Sequence, residues 1–184
     1  MAGIGSLKVK QICLCAWDLE KSEKAWTKVL GISPRKQVTP VFSEVPTFTD
    51  NKPDSFGPQE FLVYELEDDV HLEIFGPGTG ENPWKTFLEK HGEGVMNVAF
   101  YVPDRASAYK VIGEVCEAKN PYHEGFYPGG TYTFVDTMKE LQMELNIKKD
   151  EDNEDLEDNA LIMESNWIVR YYQSRTEPSE VAEV

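Results

Sequence analysis

The sequence has few cysteines, few basic residues and no long hydrophobic run, and each shortage excludes a class of protein. Three cysteines among 184 residues are too few, and too odd in number, for a disulfide framework. No stretch approaches the roughly 18 consecutive apolar residues of a membrane-spanning helix. The chain has 18 Lys and Arg against 33 Asp and Glu, a net charge of −15, and no basic patch for nucleic acid or anionic membrane. We therefore expect a cytoplasmic protein with neither of these partners.

The chain does contain an internal repeat. Residues 10–18 align with residues 96–104 at a shift of 86, so that Gln11 falls on Asn97. Both segments begin with an amide side chain in an apolar strand, and both end at an aspartate that can cap a helix. We interpret the two segments as equivalent first strands of two similar modules.

A second repeat supports the first. Residues 70–74 align with residues 141–145 at a shift of 71, which places Glu73 on Glu144. Because a duplicated unit needs its neighbour to bury its open face, the modules should form one domain. The sequence thus predicts an α+β fold in residues 1–148, with two tandem β-α-β-β-β modules at about 7–76 and 93–148. Together they should form a curved eight-stranded mixed sheet around a cavity.

The end of the chain differs in composition from this domain. Residues 149–184 contain 11 acidic and 3 basic residues. We expect residues 149–159 to be a solvated acidic linker. Residues 160–184 should comprise an amphipathic segment followed by a tail. That segment either docks on the domain's own surface or serves as an interaction segment, and the sequence leaves both possibilities open.

The repeat, the run from Trp84 to Gly94 and the Asp18-Leu19-Glu20 sequence resemble the vicinal oxygen chelate superfamily. This superfamily includes glyoxalase I, methylmalonyl-CoA epimerase, extradiol dioxygenases and bleomycin-resistance proteins. The resemblance covers about residues 7–148 and is locally closest to methylmalonyl-CoA epimerase. In the superfamily each module curls into a half-barrel, and metal ligands come from the first and last strands of each module.

The resemblance implies four metal ligands in this chain, namely Gln11, Glu73, Asn97 and Glu144. Each is a polar residue in an apolar strand, where an unpaired amide or carboxylate would be costly. The epimerases typically have histidine at the first and third positions, so this set consists of oxygen donors alone. Such a set suits Mg²⁺, Mn²⁺ or Ca²⁺ better than Zn²⁺, Ni²⁺ or Co²⁺. The alternatives are an exposed sheet face for the glutamates and local backbone contacts for the amides.

The implied chemistry is metal-assisted removal of a proton next to a carbonyl of a small metabolite, as in an isomerase, epimerase or lyase. Glu144 is the predicted base and Glu73 the second carboxylate, with exchangeable roles. His71 shares a strand face with Glu73, and His123 precedes a glycine, so both are further catalytic candidates. Tyr101 shares a strand face with Asn97 and is a candidate for the substrate pocket.

Two other functions remain open at this point. The loss of both family histidines favours a metal-free protein that binds and sequesters a small molecule. A metal-free isomerase or cyclase of a metabolic pathway is the third possibility. No basic cluster marks a site for CoA phosphates or for glutathione, so the sequence does not identify the small-molecule substrate.

We predict a homodimer, because open curved sheets leave edges and apolar faces that superfamily members often cover by pairing. Sedimentation at tens of micromolar, an order-of-magnitude threshold for specific association, should give twice the chain mass. A monomer under these conditions would contradict the prediction.

Overall fold

One mixed sheet runs through both halves of the chain in this computed structural model, which describes residues 3–39, 45–127 and 130–150. The described residues form ten strands and four α-helices. In chain order these are β1 (Val9–Cys15), α1 (Leu19–Leu30), β2 (Arg35–Val38), β3 (Thr47–Thr49), β4 (Lys52–Pro53), β5 (Glu60–Glu65), β6 (His71–Phe75), α2 (Pro83–His91), β7 (Gly94–Tyr101), α3 (Arg105–Val115), β8 (His123–Tyr127), β9 (Gly130–Val135), α4 (Met138–Leu141) and β10 (Glu144–Asp150). The strand order across the sheet is β2-β5-β6-β1-β7-β10-β9-β8-β3-β4.

The two first strands lie side by side at the centre of this sheet. β1 and β7 pair antiparallel, and each also pairs in parallel with the last strand of its own module, β6 or β10. The arrangement confirms the predicted fold class and the equivalence of segments 7–16 and 95–102. It brings the polar positions of both modules to the same side of the central strands.

The predicted count of eight strands was wrong, because the described sheet has ten. The two extra strands, β3 and β4, come from residues 33–58, a stretch that contains five prolines and is called the proline-rich stretch below. β3 pairs with β8 of the second module, where Thr49 lies opposite His123. The stretch therefore crosses from the first module to the far edge of the second, and both outer strands of the sheet, β2 and β4, belong to it.

Two helices pack on the outer face of the sheet. α1 covers a cluster that contains Leu62 and Ile74, and α3 covers a second cluster that contains Leu145 and Ile147. Both helices begin at the predicted aspartate caps. Asp18 accepts a hydrogen bond from the backbone of Lys21 at 2.9 Å, and the Asp104 carboxylate caps α3 in the same way.

Helix α2 lies on the opposite, inner face and fills part of the space between the modules. Trp84, Phe87 and Leu88 are buried in a cluster with Cys13 and Cys15 of β1. Both cysteines are buried free thiols. The helix therefore closes one end of the concave face and leaves the other end open for a cavity.

The last strand differs from its prediction at both ends. Residues 138–141 form a short helix that ends at Gln142, whose φ is 59°, so the strand begins at Glu144 rather than at Leu141. It continues to Asp150, two residues into the predicted acidic linker. From residue 151 onward, the linker and the segment at 160–184 lie outside the described residues. Within the described ranges, no helix is long and apolar enough to cross a membrane.

The Asn82 side chain connects α2 to the loop before it. Its Oδ1 accepts from the backbone of Lys85 at 2.8 Å, and its Nδ2 donates to the carbonyls of Pro77 and Gly80 at 2.9 and 3.2 Å. Asn82→Ala should lower the free energy of unfolding by about 2–3 kcal/mol, because one helix cap and two part-buried contacts to loop carbonyls are lost together. Urea unfolding measures this loss. Asp18→Ala, which removes a cap alone, is the control at about 1 kcal/mol, and equal losses would contradict the argument.

Candidate functional site

A cavity of about 340 Å³ opens on the concave face of the sheet. Both modules contribute side chains to its walls. One wall is polar, and the other, called the aromatic wall, includes Phe61, Phe75 and Trp84. The proline-rich stretch that crosses between the modules adds further lining residues. The lining residues are Gln11, Gln37, Thr39, Val45, Thr47, Phe56, Phe61, Glu73, Phe75, Trp84, Tyr132, Phe134, Asn146 and Lys148. The volume lies within the range of small-molecule sites in proteins.

Gln11 and Glu73 form a hydrogen-bonded pair in the wall of this cavity. The amide nitrogen Nε2 of Gln11 donates to Oε2 of Glu73 at 2.7 Å. The Glu73 side chain is 14% exposed, and burial raises the pKa of its carboxyl. The positive charges of Lys148 and Arg35 lower this pKa and only partly offset the effect of burial. Glu73 is thus a carboxyl that binds protons more readily than an exposed glutamate and faces the cavity.

Asn97 and Glu144 are neighbours on adjacent strands of the second module, outside the cavity lining. They lie opposite each other in the β7–β10 register. Oε2 of Glu144 accepts a hydrogen bond from the Tyr122 hydroxyl at 2.7 Å. Burial raises the pKa of Glu144 to about 7, although this hydrogen bond acts in the opposite direction. Neither amide atom of the fully buried Asn97 has a hydrogen-bond partner among the described residues.

A difference in register separates the two polar pairs. In the first module Glu73 lies opposite Cys13, whereas in the second Glu144 lies opposite Asn97, the position equivalent to Gln11. Cys13 also lies opposite Asn97, so the thiol is placed between the pairs. Burial, Cys15 and the two carboxylates all raise the pKa of Cys13, which keeps this thiol protonated.

The four predicted ligands do not fit a common metal centre in this arrangement. Glu73 and Glu144 are already satisfied by an amide N–H and a phenol O–H, and a protonated thiol lies between them. Over the part of the chain that the structure describes, no group of three or more His, Cys, Asp or Glu residues is placed to hold a metal ion. The chemistry considered below therefore uses the protein's own groups.

His71 and Tyr101 lie at the border of the site, outside the cavity lining. Nδ1 of His71 is 3.9 Å from Oε1 of Glu73, and burial lowers the pKa of this histidine. The amino groups of Lys8 and Lys10 each lie 5.8 Å from the centre of the Tyr101 ring. Neither residue lines the cavity. Direct contact with the cavity therefore supports neither the predicted catalytic role of His71 nor the predicted pocket role of Tyr101.

His123 lies behind the aromatic wall and is fully buried. Its Nε2 is 3.2 Å from the hydroxyl of Tyr132, which lines the cavity, and its Nδ1 is 2.9 Å from Oγ1 of Thr49. Burial lowers the pKa of His123 to about 3, so the ring is neutral at physiological pH. This predicted catalytic candidate therefore reaches the cavity through a tyrosine.

Several cavity residues were missed by sequence analysis. Asn146 and Lys148 follow Glu144 at intervals of two on β10, so strand alternation places them on the same face once Glu144 is assigned inward. That signal was available in the sequence. The aromatic wall was not predictable in the same way, because Phe61, Phe75 and Trp84 come from three separate elements. Phe75 stacks on Phe61 with ring centres 4.5 Å apart and on Trp84 with centres 4.4 Å apart.

Comparison with solved structures shows the fold of the chain. A hypothetical protein from Bacillus halodurans C-125 matches with a TM-score of 0.52 and 15% identity, over 79% of this chain and 96% of that one. Methylmalonyl-CoA epimerase from Streptomyces coelicolor, as a variant in complex with 2-nitronate-propionyl-CoA, matches with a TM-score of 0.50 and 16% identity over 78% and 94%. The epimerase from Mycobacterium tuberculosis matches with a TM-score of 0.51 and 12% identity over 83% and 93%.

These similarities show that the chain has the fold of these epimerases, which is the fold that the sequence resemblance implied. No protein-family model matches the chain. No curated protein matches it either. At identities of 12–16% the likeness concerns the fold, and the activity has to be argued from the site.

The pKa of Glu144 predicts a pH dependence of stability. The folded value of about 7 lies above the ordinary value of 4.5, so the folded state binds the proton more tightly than the unfolded state does. The stabilisation is complete below about pH 4.5 and is lost as the pH rises to about 7, a change of roughly 3 kcal/mol at about 1.4 kcal/mol per pKa unit. Glu144→Gln keeps the shape but cannot titrate. Urea unfolding from pH 4 to 8 should show the wild type losing stability relative to this variant, and parallel curves would contradict the assignment.

Proposed function

We propose that the protein is an enzyme that removes a proton from a carbon next to a carbonyl of a small molecule, with Glu73 as the base. The main support is the position of this carboxyl in the cavity wall, where the Gln11 amide holds one oxygen at 2.7 Å and burial raises its pKa. A general base works best when its pKa is raised toward the working pH. The reaction type is that of an epimerase or isomerase.

Glu73 takes precedence over Glu144 because only Glu73 lines the cavity. Sequence analysis named Glu144 as the base and treated the two roles as exchangeable. Glu144 is engaged by the Tyr122 hydroxyl and lies beyond Cys13, outside the lining. In this proposal it stays a buried carboxyl that supports the inner face, and it does not contact the substrate.

Lys148 supplies a positive charge to stabilise the enolate that the reaction forms. Removing the proton leaves an electron pair that moves into the carbonyl and places negative charge on its oxygen. Lys148 lines the same cavity, and its positive charge already lowers the pKa of Glu73. A cation in a partly enclosed site stabilises the developing enolate without a metal ion.

The aromatic wall and the small volume limit the part of the substrate that enters. A space of about 340 Å³ accepts a small acyl or oxo-acid group with an apolar surface. Two of the similar structures are methylmalonyl-CoA epimerases, and methylmalonyl-CoA carries such a group on a thioester. Methylmalonyl-CoA is therefore the first substrate to test, alongside compounds without CoA.

The test is deuterium exchange from D₂O into carbon acids with one acidic C–H beside a carbonyl. The panel comprises single enantiomers of methylmalonyl-CoA, of the same acyl group on N-acetylcysteamine, and of 3-methyl-2-oxopentanoate. We expect wild-type protein to accelerate exchange with at least one member. Glu73→Gln should lower this rate by about 10²-fold or more, the usual effect of losing a general base, because the amide cannot accept the proton.

Two variants are matched controls for this substitution. Glu144→Gln makes the same change in the buried carboxyl outside the cavity, and Glu60→Gln makes it at an exposed residue, the first of β5. Both should retain most of the exchange activity. A loss in Glu144→Gln that equals the loss in Glu73→Gln would return the base assignment to Glu144.

Metal analysis of the same preparations separates the metal-assisted reaction from the reaction carried by protein groups alone. Stoichiometric divalent metal, together with loss of exchange after chelation, would support the metal-assisted reaction. If panel members raise the melting temperature but none exchanges, the protein binds small molecules without chemistry. The aromatic wall favours that second function, because stacked rings give affinity whether or not a reaction follows.

A further inference from the structure

A series of buried polar side chains leads from the cavity wall to a carboxylate of the crossing stretch. Tyr132 lines the cavity, and its hydroxyl is 3.2 Å from Nε2 of His123. On the other side of the ring, Nδ1 is 2.9 Å from Oγ1 of Thr49 and 3.5 Å from Oδ2 of Asp54. We call these four residues the tyrosine relay. The proposed function uses none of them.

The hydrogen bonds in the relay have one consistent direction. The Asp54 carboxylate accepts from the hydroxyls of Thr47 and Thr49. The Thr49 oxygen is then the acceptor for Nδ1–H of His123, whose neutral ring carries a single N–H. Nε2 is left as an acceptor for the hydroxyl proton of Tyr132. His123 is thus arranged to receive the phenol proton.

Asp54 is placed to take the proton that such a transfer passes on. Its Oδ2 is buried, has no hydrogen bond from the described residues and lies 3.5 Å from Nδ1 of His123. Burial raises the pKa of Asp54, so this carboxylate accepts a proton more readily than an exposed aspartate does. A network that only held the crossing stretch in place would not require an unsatisfied carboxylate oxygen beside the ring.

The Tyr132 ring has a fixed position in the cavity wall. A Cβ atom at Gly125, on the neighbouring strand β8, would lie 2.0 Å from this ring, so glycine leaves the space that the tyrosine occupies. Tyr132 lies on β9 and Glu73 lies on β6, with β1, β7 and β10 between them. Both side chains line the cavity, and they belong to opposite halves of the sheet.

We propose that Tyr132 is the second proton-transfer group of this cavity, acting through His123, and that the reaction inverts the configuration of a stereogenic carbon. The inference rests on the proposed function and specifies its stereochemistry. In one direction the C–H bond breaks, its proton goes to the Tyr132 oxygen, and the phenol proton passes to Nε2 of His123. The electron pair of the broken bond moves into the carbonyl and gives an enolate.

Protonated Glu73 completes this direction by donating its proton to the opposite face of the carbon. The new C–H bond forms from the enolate electron pair, which restores the carbonyl. Glu73 is left ionised. The Nδ1 proton of His123 has passed through the Thr49 hydroxyl to Asp54, so the imidazole ring stays neutral. The reverse direction begins from this state, with Glu73 as base and Tyr132 as acid, so protons and electrons balance without any co-reactant.

The experiment uses Tyr132→Phe and the panel member that wild-type protein exchanges most rapidly, with each enantiomer supplied separately in D₂O. Wild type should both incorporate deuterium and interconvert the enantiomers. Tyr132→Phe should lower interconversion by about 10²-fold or more, because the opposite face has lost its proton donor. Exchange with retained configuration should continue through Glu73 for the one enantiomer whose C–H faces Glu73. A merely structural role of the hydroxyl would lower both rates together.

Two further variants test the relay and control for the loss of a hydroxyl. Thr49→Val keeps the side-chain shape and breaks the link between His123 and Asp54, so interconversion should fall about 10-fold with exchange retained. Tyr109→Phe removes a phenol hydroxyl that contacts Thr133 at 2.7 Å, outside the cavity lining, and should change neither rate.

The outcomes separate this inference from the function on which it depends. If wild-type protein exchanges no panel member, the proposed function fails and the inference fails with it. If wild type exchanges and Tyr132→Phe interconverts enantiomers at the wild-type rate, only the role of Tyr132 is overturned. Equal loss of exchange and interconversion in a folded Tyr132→Phe variant would also overturn it, because Glu73 should act alone on its own face.

Discussion

The antiparallel pairing of β1 with β7 is the constraint on which the site depends. It joins the two modules through backbone hydrogen bonds and sets which side chains of the first strands share a face. Cys13 is placed opposite Asn97, with Glu73 and Glu144 on the flanking strands. A shift of this register by one residue would turn all of these polar groups toward the outer helices and expose apolar residues to the cavity. The polar centre and the apolar packing are therefore fixed by the same contact.

Packed side chains exclude water from the inner face, and this exclusion shifts the pKa values of its acids and of its histidine. Trp84 and its aromatic neighbours from α2, β6 and β9 pack against the polar positions. The charged forms of acids and of histidine both lose hydration there, so the pKa of Glu144 rises and that of His123 falls. One packing arrangement thus yields carboxyls that hold protons and an imidazole that stays neutral while it relays a proton. Proton transfer within the site requires both properties.

Much of the fold was predictable because its signals are local or repeated. The amide-led strands, the aspartate caps and the Glu73 hairpin follow from alternation and capping within short segments. The pairing of β3 with β8 was not predictable, because it joins residues about 75 positions apart and proline weakens the strand pattern. The offset between Glu73 and Glu144 was also hidden, since the residue pattern does not specify the register of the parallel pairs β1 with β6 and β7 with β10.

The crossing of the proline-rich stretch has a consequence for how the chain behaves as a unit. Each half resembles a complete module in sequence, yet the first half contributes β3 to the edge of the second. A fragment that ended after β6 would leave β3 without its partner strand, and the second half alone would expose the edge of β8. The duplicated halves should therefore unfold in a single cooperative transition, and the long-range pairing should make folding slow for a chain of this size.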